Sequence, residues 1–125
     1  MQWGILLAVA TGGALGSVAR YGMAGAIQPV SASFPWGIFT VNILGGFLMG
    51  IIVELSALKL NLTPELRAFL TVGILGGFTT FSTFSLDSAL LIERGTYLTA
   101  AVYMAGSVIL SVGALFAGLT LVRTL

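Results

Sequence analysis

The segment GGFTTFSTFS, Gly76–Ser85, sets Phe at 78, 81 and 84, carries five hydroxyl residues between and beside the rings, and contains no charge. It lies in a very apolar chain. Of 125 residues, 58% are hydrophobic and 7% charged, where a soluble domain carries about 25% charged residues. Charge-free runs cover 1–19, 21–53, 68–86 and 95–122, each near or above the roughly 18–20 residues that cross a bilayer. The composition predicts a small all-α integral membrane protein in which this polar island sits inside a span.

Helix punctuation divides the chain into one domain of four spans, about 3–27, 35–57, 64–93 and 96–122. Pro35 suits a first helical position. Thr63 caps the third span, Pro64 opens it and Glu65 lies at its positive end. Gly95, after Glu93-Arg94, reads as the residue just past the helix end. The first run has no basic n-region and continues as a Gly-patterned helix, so it reads as a span and not as a cleaved signal.

Absent residue types exclude several functions. There is no Cys and no His, so no disulfide framework, thiol nucleophile or imidazole base, and the hydroxyls have no partner base to activate them. A net charge of +1 argues against nucleic acid. No enzyme is expected.

Charge bias across the bilayer is weak. Four spans put both termini on one side, with Lys59, Arg67 and Arg123 there against Arg20 and Arg94 opposite. A three-to-two split gives little orientation by the positive-inside rule, and predicts insertion both ways. Glycines recur four apart at Gly12/Gly16, Gly46/Gly50 and Gly73/Gly77, letting helix backbones approach closely. Four helices packed so tightly leave no bore between them, so a conduction path would need a second subunit.

The third span, about 30 residues, is roughly 45 Å long as one helix against a hydrocarbon core of about 30 Å, and its midpoint falls near Thr79. Two Gly followed by Thr79-Thr80 propagate a helix poorly, so a break near the midplane is predicted. Broken backbone at that depth is tolerated where it is buried in protein or lines a wet cavity, and in transporters it builds binding sites. The plainer alternative is a Gly-kinked helix whose hydroxyls bond back to the preceding turn.

Other spans bring polar groups to similar depth. Asn42, in TVNILGGF, reads either as a helix clamp or as a ligand contact. Tyr103, Ser107 and Ser111, four apart, make one polar line on the fourth span. Arg20 reads either as a snorkelling anchor or as the charge of an anion-attracting vestibule. Glu54, Glu65, Asp87 and Glu93 all fall towards helix ends, whereas a cation path is expected to carry carboxylates within the membrane. Amide and hydroxyl donors together with the positive edges of Phe rings suit a small anion.

GGALGSVARY at 12–21, WGIFTVNILGGFLMG at 36–50, GGFTTFSTFS and ERGTY at 93–97 resemble the Fluc (CrcB) fluoride channels, in order and over nearly the whole chain. The resemblance implies an antiparallel, dual-topology homodimer in the cell inner membrane. It implies two pores at the subunit interface and passive export of fluoride from the cytoplasm. By the same resemblance Phe81 and Phe84 line the pore, and Asn42 is its amide. Tyr103, Ser107 and Ser111 form a hydroxyl track with Ser82 and Thr83 near it. The carbonyls of Gly76 and Thr79 from both subunits would seat a structural Na⁺. Fluoride over chloride comes from the family resemblance alone. The rival reading is a small multidrug-type, proton-coupled transporter, which needs a membrane carboxylate that the first span lacks.

Overall fold

The computed structural model describes residues 2–125. It is all-helical: α1 (Trp3–Ile27), α2 (Trp36–Leu58), α3 (Pro64–Ala68), a π-helical segment (Phe69–Leu75), α4 (Gly76–Phe78), α5 (Phe81–Glu93) and α6 (Tyr97–Arg123). Among the described residues four helical stretches are long and apolar enough to cross a membrane: Trp3–Ile27, Trp36–Leu58, Pro64–Glu93 and Tyr97–Arg123. The chain is a multi-pass membrane protein.

The ends of the third span follow local chemistry. The Thr63 side chain accepts a hydrogen bond from the Leu66 N–H at 3.1 Å, with Pro64 directly after the cap. At the other end Gly95 has φ of 78°. Its N–H donates to the Ile92 carbonyl, and the Thr96 N–H donates to that of Leu91. That is a Schellman closure, which only a residue tolerant of positive φ completes without strain. Pro35 differs from expectation: it is the residue before α2, with ψ of 70°, and not its first helical position.

The predicted break is present. Thr79 and Thr80 are extended, at φ −86°, ψ 155° and φ −150°, ψ 118°. The stretch leading into α4 is wound as a π-helix, a rare form that is frequent at functional sites. The break lets one span serve two partners. Its first half, the π segment with α4, packs on α1, while α5 packs on α6.

Glycines set the helix spacing inside the subunit. A Cβ on Gly77 would lie 2.7 Å from the Gly13 carbonyl oxygen, and one on Gly73 2.9 Å from the Gly12 Cα. Across the most extensive interface, α2 with α6, a Cβ on Gly46 would fall 2.6 Å from the Ser111 carbonyl oxygen. Gly118 faces the Phe47 carbonyl and the Ile51 nitrogen from the other helix. Here backbone meets backbone, so no side chain can rotate away. Gly118→Val is therefore expected to lower stability by about 3 kcal/mol, the upper end for overpacking, read as a drop in thermal unfolding temperature of purified protein.

The compact core lies at the α1–α2 loop end, where Leu91, Ala100 and Tyr103 are buried with Phe34, Phe39, Phe84 and Met104 packed around them. Tyr103 is fully buried. The Phe34 ring meets it edge-on, with centroids 5.5 Å apart.

Candidate functional site

Polar bonds from other helices hold the break open. Asn42 on α2 accepts a hydrogen bond from the Thr80 N–H at 2.9 Å and donates from its amide nitrogen to the Thr80 carbonyl at 3.2 Å. One side chain thus replaces both backbone partners that Thr80 would have in a continuous helix, as an amide can with one donor arm and one acceptor arm. Thr80 also starts the second half. Its hydroxyl caps α5 by accepting from the Thr83 N–H at 3.2 Å, satisfying one of the donors a helix N-terminus leaves open.

These bonds sort the carbonyls at the break. Leu75 accepts from both the N–H and the hydroxyl of Thr79, at 3.0 and 2.9 Å. The Gly77 carbonyl accepts from Arg20 Nη1 at 2.9 Å. In an unbroken helix the Thr80 N–H would claim the Gly76 carbonyl and the Thr83 N–H that of Thr79; here one goes to Asn42 and the other to the Thr80 hydroxyl.

A groove of about 370 Å³ runs along the outside of the bundle beside the break. Asn42, Gly45, Gly46 and Met49 from α2, Thr79 to Phe81 and Phe84 from the third span, and Ser107, Ser111 and Leu115 from α6 line it. The Phe81 ring is 76% exposed, and its centroid lies 5.3 Å from that of the half-buried Phe84. Ser107 and Ser111 are unusual. Ser56, Ser85 and Ser88 each donate back to the carbonyl four residues earlier, as serines in membrane helices commonly do. The buried hydroxyls of Ser107 and Ser111 have no hydrogen-bond partner among the described residues. A buried hydroxyl left unpaired costs about 1–3 kcal/mol, which sets these two apart from the other serines of the helices.

The remaining candidates occupy other places. Thr83 and Arg20 line a separate hollow of about 490 Å³ with Tyr21 and Ile38. Ser82 is exposed, its hydroxyl 3.2 Å from that of Thr80. Gly76 is exposed, and Thr79 lines the groove. Tyr103 continues the serine line on α6, but its hydroxyl donates to Asp87 on α5 at 3.0 Å. Its ring stacks at 5.4 Å on Phe84. Sequence reasoning set Asp87 aside as a helix-end carboxylate. The structure puts it against Tyr103 and in the wall of a third hollow, of about 320 Å³, with Gln28, Ser33 and Arg94. Their sixteen-residue separation is bridged by the fold of α5 against α6, which local spacing does not reveal. Glu54, also set aside, pairs with Arg123 at 3.1 Å and joins the ends of α2 and α6.

The described residues thus form a four-span membrane unit whose third helix is broken under an amide clamp, beside an outward-facing groove lined by aromatic rings and unpaired hydroxyls. The model of the family described as CrcB-like protein, camphor resistance (CrcB), matches residues 7–119, and the chain belongs to that family. It is 57% identical over 122 residues to the fluoride-specific ion channel FluC of Rhodospirillum centenum, covering 96% of each chain. It is 54% identical over 126 residues, the whole of both, to the FluC of Nitrobacter winogradskyi. With the Agrobacterium fabrum FluC the identity is 52% over 119 residues, 94% of each.

Proposed function

We propose that the chain is a fluoride-selective channel and not an enzyme, letting fluoride leave the cytoplasm passively across the inner membrane. The reading joins the names of its relatives, fluoride-specific ion channels, to the chemistry of the groove. The observation that carries it is the pair of buried, unpartnered hydroxyls of Ser107 and Ser111 facing Phe81, Phe84 and Asn42. An anion stripped of water needs donors in its place. The two hydroxyls supply O–H groups, the Phe rings present the positive edge of their quadrupole, and the second N–H of Asn42 is free of its bond to Thr80. No carboxylate lines the groove to repel an anion. Tyr103 continues the α6 hydroxyl line beyond the groove with its hydroxyl on Asp87. Ser82 and Thr83 lie beside Thr80 at the break, and Arg20 draws anions into the hollow it lines with Thr83.

The groove is open on one side, and a ring as exposed as Phe81 in its wall calls for a cover. A second, antiparallel copy supplies it, and the pairing yields two equivalent grooves and so two pores. The weak charge bias that permits both orientations supports the same arrangement. A sodium ion fits the break. The carbonyls of Gly76 and Thr79 have lost their helical donors, and unwound carbonyls are suitable ligands for a hard cation. Two copies would contribute both pairs. When bound, sodium supplies a fixed positive charge and ties the two breaks together; the chain's own part is to keep those carbonyls free.

The test is fluoride efflux from liposomes carrying the purified protein, followed with a fluoride electrode in sodium and in N-methyl-D-glucamine buffers. Rapid efflux that chloride does not share, and that fades without sodium, is expected. Chloride efflux at the same rate would overturn selectivity. Proton-driven uptake of a cationic drug would replace the reading with that of an exchanger.

A further inference from the structure

Arg20 lies deep in α1, the eighteenth of its 25 residues, and charged side chains at such positions are costly unless paired. Among the described residues the only ion pair is Glu54–Arg123. What Arg20 has is the Gly77 carbonyl, 57 residues away, at 2.9 Å. That contact is fixed by packing. Gly12 and Gly16 are the buried residues of α1, and they set its backbone against Phe69, Gly73, Ile74 and Phe78. Arg20 follows Gly16 by four residues, so the same face carries its guanidinium to the end of α4.

The last carbonyls of a helix are its negative end, and without partners they are free to take a cation. At this end Leu75 is held twice by Thr79, and Gly77 is held by Arg20. Gly76 lies between them, without its usual donor. The bond at Gly77 anchors the Gly77–Phe78 peptide, next in the chain to the Gly76–Gly77 unit that carries the Gly76 carbonyl. Through the two dihedrals of Gly77 it restrains the direction in which that carbonyl points. We propose that Arg20 is a positioning residue: by capping the Gly77 carbonyl it orients the Gly76 carbonyl of the cation seat and thereby sets the affinity for sodium. The inference rests on the sodium reading above.

Charge and position predict opposite signs. If Arg20 acted on the seat only as a nearby positive charge, removing it would tighten cation binding. If it acts by holding the backbone, removing it weakens binding. The experiment is thermal unfolding of the purified full chain, titrated with NaCl against N-methyl-D-glucamine chloride at constant ionic strength. A ligand that binds the folded state raises the unfolding temperature in proportion to its occupancy, so the sodium half-point is read without reference to flux. For Arg20→Gln, losing a charged hydrogen bond is expected to raise the half-point about tenfold or more. Arg20→Lys keeps the charge and one donor but not the planar fork, and is expected to raise it about two- to threefold. An unchanged or lowered half-point in the Gln variant overturns the proposal. Should that variant not assemble, the same result in the Lys variant does so. A wild-type protein that sodium does not stabilise overturns the sodium reading itself, and the role of Arg20 with it.

Discussion

Phe81→Ile is expected to cut fluoride efflux from liposomes by roughly thirtyfold or more while the protein still elutes as the wild type does on gel filtration. Ile keeps an apolar side chain of similar reach but has no ring edge. A cation over a ring face in a desolvated site gains roughly 2 kcal/mol; an anion at the positive ring edge is taken as comparable, and each 1.4 kcal/mol is a factor of ten. The ring is 76% exposed within the subunit, so its loss opens no internal cavity. Phe84→Ile should reduce efflux by a similar factor, with some loss of stability besides, because that ring also packs on Tyr103 at 5.4 Å. Undiminished efflux in the Phe81 variant would show that the ring serves only as apolar wall.

The second large effect is expected at Asn42, where two substitutions separate two jobs. Asn42→Ala removes both bonds to Thr80 and leaves a backbone N–H and carbonyl unpaired, at about 1–3 kcal/mol each. It should loosen the break and lower the unfolding temperature. Asn42→Asp keeps the acceptor for the Thr80 N–H but turns a second oxygen towards the Thr80 carbonyl and adds a negative charge beside the groove. Repulsion of an anion about 4 Å away is about 4 kcal/mol at an effective dielectric of 20, close to a thousandfold in rate. The Asp variant should therefore conduct far less than the Ala variant, though it retains more of the clamp. Equal efflux from the two would make Asn42 a clamp alone.

The two sequence readings of Asn42, clamp or ligand contact, are not exclusive in the fold. Both arms of the amide reach Thr80, and one amide hydrogen remains beside the groove. This joins the break to the groove through a single side chain. The proposed sodium seat and the proposed anion path would share Thr79, which carries one of the seat's carbonyls and also lines the groove.

Features that depend on neighbours in the chain were legible beforehand. Thr63-Pro64 and Gly95 act over three or four residues, and each forms the cap its side chain or φ freedom favours. The break at Thr79 follows from two glycines and two β-branched residues in a row, where helix propagation is weak. The π winding of Phe69–Leu75 had no such signal. FLTVGIL is an ordinary apolar run, and its winding accompanies the close approach of α1 at Gly12 and Gly16.

What remained hidden depended on which helix lies beside which. A serine four residues from a tyrosine marks a face, but whether its hydroxyl bonds back or stays free is set by the helix opposite. Ser88 bonds back to Phe84, while Ser107, facing the groove, does not. Asp87 looked like a helix-end carboxylate until α5 lay against α6 and brought it to Tyr103. Arg20 and Gly77 are 57 residues apart, and only the glycine-lined contact of α1 with the third span joins them.

By itself, then, the sequence determined the four spans, the caps of the third, the site of the break and the kinds of group available to a ligand. Each of these follows from hydropathy or backbone preference within a few residues. Tertiary structure alone decided which carbonyls at the break are claimed, which hydroxyls stay unpaired and which rings line the groove. A hydrogen bond forms only where two groups come within about 3 Å, and between helices that distance is set by packing that no local pattern encodes.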